Sequence, residues 1–125
     1  MIIKKLVVGS MFSMLLGSEM AAADWGDVYY CQMTNFNEIT LEGEMKSWKL
    51  QKFQFKLDQT KNAMVFGSKG YFGNIVAKLG DNWPSLEAWF ANSEYSMTYF
   101  EEGKLLNTYN NAMGATVVSA DCDKF

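Results

Sequence analysis

The side chains able to do chemistry in this sequence are carboxylates, a cluster of aromatics, a serine–lysine turn and two cysteines. Asp121 and Asp123 flank Cys122, Glu101 and Glu102 precede Gly103, and Glu87 and Glu94 lie just upstream. Two such acids held roughly 5 to 9.5 Å apart across a cleft would suit a glycoside hydrolase. That is the enzyme alternative, but adjacent acids at a turn ordinarily face water, so no catalytic residue is assigned. The chain has no histidine, and all 11 of its basic residues are lysines. Imidazole-based triads and His-ligated metals are therefore excluded, as are bidentate arginine clamps on phosphate. There is no Asp-x-Asp-x-Asp-Gly loop for calcium and no Cys-x-x-Cys. Met33, Met45, Met64, Met97 and Met113 follow no repeat and read as gap fillers rather than copper ligands. No metal or other cofactor is expected.

Recognition is the better prospect. Trp83 sits in a Gly-Asp-Asn-Trp-Pro stretch that reads as a loop. With Trp89, Tyr95 and Tyr99 close in sequence, it would form a stacking platform for sugar rings or line an apolar pocket. The competing reading puts these rings in the core of a small domain, since each buries 150 to 250 Å². Gly67-Ser68-Lys69-Gly70 is far too short for a phosphate-binding P-loop. As an exposed tip it would present Ser68 and Lys69 outward, a small hydroxyl and a flexible cation suited to an acidic cleft on a partner.

The elements that must position these groups follow from the rest of the chain. Lys4 and Lys5, the apolar run Leu6–Gly17 and Ala21-Ala22-Ala23 have the form of an export signal covering 1–23. The run is too short to span a bilayer, which takes about 20 residues. A single domain over 24–125, periplasmic or secreted, is the expectation. It stays acidic after processing, which disfavours nucleic acid and anionic lipid as partners. In an exported chain the isolated Cys31 and Cys122 are expected to pair. Their bridge would enclose most of the fold and bring its first and last strands together.

Period-two alternation recurs between Gly, Asn and Asp breaks, which predicts an all-β fold. The candidate strands are 28–33, 39–42, 47–57 with a bulge near Gln51-Lys52, 63–66, 71–79, 95–100, 104–109 and 115–122. Segment 86–91 fits a strand better than a helix, though both patterns are present. About eight strands in meander order predict a small antiparallel barrel or a two-sheet sandwich, its ends tied by the disulfide.

Tyr29-Tyr30-Cys31 on the first strand, a Cys on the last and the turn Val65-Phe66-Gly67-Ser68-Lys69-Gly70 resemble the layout of periplasmic C-type lysozyme inhibitors. In that family the lysine-bearing turn lies near the last Cys; here it is mid-chain. The resemblance implies that Lys69 enters a lysozyme cleft with Ser68 beside it. The overall texture is also similar to that of small exported bacterial and phage proteins, which implies no activity. The leading expectation is an exported, non-enzymatic binding module. It would be either a barrel holding a small apolar or sugar-like ligand, or a surface that blocks another exported protein. Inward aromatics around a void would mark the first, and a solid interior with a protruding Ser68-Lys69 tip the second.

Overall fold

A computed structural model describes residues 23–80 and 89–125. The expected export signal, Trp83, Glu87 and positions 86–88 of the ambiguous segment lie outside the described residues. Among the described residues there are nine strands and no helix. They are β1 (Val28–Thr40), β2 (Met45–Ser47), β3 (Lys52–Asp58), β4 (Ala63–Phe66), β5 (Val76–Leu79), β6 (Trp89–Ser93), β7 (Ser96–Glu101), β8 (Lys104–Asn111) and β9 (Gly114–Lys124). All neighbours pair antiparallel, and β9 returns to pair with β1, so eight strands close a barrel while β2 adds to the far end of β1. Closure leaves no open edge in the barrel wall, the usual hazard of a small sheet.

The bridge lies at the closing seam. Cys31 and Cys122 are direct partners in the β1–β9 register, both buried, with Cα atoms 4.0 Å apart and sulfurs bonded at 2.07 Å. A cross-link spanning 91 positions constrains the unfolded chain by about 4 to 5 kcal/mol in the chain-entropy account.

Alternation fills the interior. Tyr29 and Cys31 of β1, Phe53, Phe55 and Leu57 of β3, Met64 and Phe66 of β4, and Phe100 of β7 all point inward and are buried. Their rings touch in series. Tyr29 meets Phe55 at 5.4 Å and Phe100 at 4.8 Å, Phe55 meets Phe66 at 5.5 Å, and Phe66 meets Phe72 at 4.9 Å. Offset and edge contacts of this kind add to the apolar burial itself.

Several expected boundaries move, each for a physical reason. Residues 39–42 do not form a separate strand: Ile39 and Thr40 end β1, and Gly43, at φ +87°, turns the chain back. β1 runs that far because β9 pairs with it from Tyr29 to Thr40. The bulge lies at Thr34, opposite the Ser119–Ala120 step, rather than at Gln51-Lys52. Across it the inward positions change from Met33 to Phe36. The facing chain changes phase at the same level and leaves the strand conformation at 48–51, which accounts for the mismatch between Trp48 and Phe53. Segment 71–79 is a strand only from Val76. Residues 71–74 turn, because Phe72 leaves the wall and packs into the core at 1% exposure.

Candidate functional site

The strongest site candidate is built on the segment joining β4 to β5. Gly67 N donates to Gln54 O on β3 (3.0 Å), and Asn74 N donates to Gly67 O (2.8 Å), so the two ends of the loop meet. Inside it Gly73 N donates to Gly70 O, and Ile75 N to Phe72 O. Gln51 reaches across and accepts from Tyr71 N at 2.8 Å. Gly70 is at φ +80°, and a Cβ there would stand 2.7 Å from that same Gln51 Oε1, so glycine is required for the clasp. Phe72 anchors the loop from within, stacking on Phe66 and packing on Phe53 at 4.6 Å. What this scaffold holds outward is Ser68, Lys69 and Gly70, all exposed.

Beside the tip runs a groove of about 410 Å³ lined by Tyr30, Lys52, Phe53, Gln54, Gly67, Ser68 and Lys69. Tyr30 and Lys52 are the outward neighbours of Cys31 and Phe53, so strand alternation places them on the wall. Tyr30 is half-exposed, and its ring meets that of Phe125 at 5.3 Å. Among the described residues the ion pairs are Lys104–Asp121 and Lys124–Asp27. Lys52 and Lys69 are in neither, so the groove carries two ammonium groups with no ion-pair partner among the described residues. The sequence alone gives Tyr30, Lys52 and Gln51 no place in a site. The parity that buries Cys31 and Phe53 signals the first two, whereas Gln51 has no local mark.

The described rings of the expected aromatic platform do not share one face. Trp89 points inward, buried, in an edge contact with Trp25 at 5.0 Å. Tyr99 points out through the opposite wall face, where its hydroxyl donates to Glu101 Oε1. That bond, with burial second, raises the Tyr99 pKa above its ordinary 10.0. Tyr95 lies exposed at the β6–β7 turn at φ +63°. Trp83 is outside the described residues.

The acids do converge in part. Glu101, Glu102 and Asp121 line a second groove of about 410 Å³ with Thr34, Tyr99, Lys104 and Ser119. Most of its polar groups bind one another: Lys104 Nζ to Asp121 Oδ1 at 2.7 Å, Tyr99 to Glu101, and Thr34 to Ser119 at 2.7 Å, with Glu102 exposed at the turn. Glu94 and Asp123 are not in that lining, and Glu87 is outside the described residues. Among the described residues no three His, Cys, Asp or Glu side chains are grouped to hold a metal. No helix there is long and apolar enough to cross a membrane. A disulfide-bonded barrel of this kind is compatible with an extracellular location.

No protein-family model, no curated protein and no solved structure matches this chain.

Proposed function

We propose that this chain is an exported, non-enzymatic module that binds another protein through the Ser68–Lys69 loop. The observation that carries the reading is the clasped loop itself. Its tip is exposed and its base is tied to β3 at Gly67 and Gln51, while Phe72 is sunk in the core. A lysine whose backbone is held in place this way loses less conformational freedom on docking than one on a free loop, which is how preordered loops gain affinity. Lys52 extends the positive charge along the groove, so the complementary surface is an acidic cleft. The continuous ring stack inside the barrel supports a surface interaction over a hollow ligand barrel at that level. Export, expected from residues 1–23, agrees with the Cys31–Cys122 bridge.

The resemblance to C-type lysozyme inhibitors names a first partner to try. The oxidised protein spanning 24–125 is expected to slow cell-wall lysis by a C-type lysozyme at equimolar ratio. Lys69→Ala should weaken that inhibition at least tenfold, and Ser68→Ala by less. Full lytic activity in excess of the oxidised protein would remove the lysozyme as partner. The wider reading is tested by capture from envelope extract: Lys69→Glu retaining every captured protein would overturn it.

A further inference from the structure

The groove beside the lysine loop has an apolar half that its charge does not account for. Tyr30 is 46% exposed on the outward face of β1, and Phe53, 8% exposed, also lines the groove. Phe125, 88% exposed, makes an edge contact with the Tyr30 ring at 5.3 Å. Backbone and side chain hold this segment in place. Phe125 N donates to Val28 O at 2.8 Å, and the neighbouring Lys124 pairs with Asp27 at 3.3 Å. Aromatic rings presented at a groove are the usual anchors of protein interfaces.

The register orders the charges around these rings. Asp123, Tyr30 and Gln54 lie side by side on β9, β1 and β3. Gln54 O accepts from Gly67 N, which brings the lysine loop against the far flank. A Cβ at Gly67 would stand 3.0 Å from Gln54 Cγ, so glycine lets the loop approach without a side chain at that point. Lys52 is on β3 and Lys69 on the loop beyond it, whereas Asp123 is on β9, across Tyr30. Both cations therefore lie to one side of the ring and the carboxylate to the other.

The combination selects by chemistry. A neutral apolar group would bury two ammonium groups without compensation, which is costly. A bare anion would leave the Tyr30 and Phe53 surface uncovered. A peptide segment that carries a large apolar side chain between carboxylates meets both halves, with the Ser68 hydroxyl and the Gln54 amide available to its backbone.

We infer that the groove takes an apolar side chain of the partner flanked by carboxylates, with the Tyr30 ring as its anchor and the Lys52 ammonium on one carboxylate. The inference rests on the reading of this chain as a protein-binding module and adds the chemistry of the partner at that same groove. The test is a nitrogen-15 NMR titration of the oxidised protein with acetyl-Glu-Phe-Glu-amide, acetyl-Glu-Gly-Glu-amide and acetyl-Gln-Phe-Gln-amide, each to about 10 mM, which covers millimolar binding. Glu-Phe-Glu should shift the Gly67 and Ser68 amides and the Gln54 side-chain amide saturably. The other two peptides should bind about tenfold more weakly. Tyr30→Ala should bring Glu-Phe-Glu down to the affinity of Glu-Gly-Glu, and Lys52→Ala should bring it down to that of Gln-Phe-Gln. Lys104→Ala, in the β7–β9 groove, should change nothing. No saturable shift with Glu-Phe-Glu overturns the inference. Equal affinity for Glu-Gly-Glu, or unchanged affinity in Tyr30→Ala, overturns it too, and the reading of Lys69 then stands if Lys69→Glu still loses captured partners. Tyr30-dependent binding of Glu-Phe-Glu alongside full partner capture by Lys69→Glu would keep the groove and overturn the reading of Lys69.

Discussion

The outer wall of the barrel carries two grooves of equal size, about 410 Å³ each, with opposite charge and opposite economy of contacts. In the β7–β9 groove most of the charged groups are committed, Lys104 to Asp121 and Glu101 to the Tyr99 hydroxyl, with Glu102 left exposed at the turn. In the groove beside the lysine loop neither Lys52 nor Lys69 has an ion-pair partner among the described residues. The scaffolding differs in the same sense. The acidic groove is assembled from ordinary ladder residues, whereas the basic one includes a loop closed by its own hydrogen bonds and anchored in the core by Phe72. A concavity lined with charge is thus not yet a site. Uncommitted charge on an ordered support is the better mark.

The largest expected effect falls on both grooves together, because both depend on the β1–β9 seam. Replacing Cys31 and Cys122 by Ser is expected to cost about 4 to 5 kcal/mol in urea unfolding, the loop-closure value for a bridge of this span. A cost below about 1 kcal/mol would mean that the seam holds without its covalent tie. Phe72→Ala should separate the grooves. Losing a buried ring costs about 3 to 5 kcal/mol, and here it also frees the loop from inside. Partner capture through Lys69 should fall further than global stability explains, while the Lys104–Asp121 pair stays in place by NMR. Equal loss in both grooves would break the comparison.

Much of this organisation was legible in the sequence. The isolated cysteines placed the first and last strands side by side, alternation located the 95–100/104–109 hairpin and the last strand, and the turns on either side marked out Ala63–Phe66. The turn at Glu102-Gly103 follows from a glycine able to take φ +77°, with Glu102 at +50° beside it. What failed to show was anything set by contacts distant in sequence. Phe72 reads as a strand residue until its packing on Phe53 and Phe66 is known. Gln51 reads as a bulge because its real partner, Tyr71 N, is twenty residues away. Ser68 and Lys69 were legible because glycines bracket them. From sequence Trp89 fits either a ligand platform or the core, and it lies in the core, where its strand's inward side places it.

Smaller effects sharpen the acidic side. The hydrogen bond to Glu101 raises the Tyr99 pKa, so its stabilising contribution is present below the ordinary 10.0 and is lost as pH climbs through the raised value. Ultraviolet titration should show Tyr99 ionising late, and Glu101→Gln should move it back toward 10; no movement would mean that Glu101 does not hold it. Lys104→Ala comes last. With its side chain 75% exposed and that of Asp121 59%, the pair should be worth less than about 1 kcal/mol. The variant should capture partners as well as the parent protein does, and a lost partner would relocate the interface to the β7–β9 groove.

Amide hydrogen exchange of the 67–75 segment is the most direct measurement. The N–H groups of Gly67, Tyr71, Gly73, Asn74 and Ile75 are all hydrogen-bonded, so they should exchange as slowly as the short strands β4 and β5 that flank them. Exchange at the rate of an unstructured peptide would mean that Lys69 rides on a floppy loop, and the preordered cation would be contradicted.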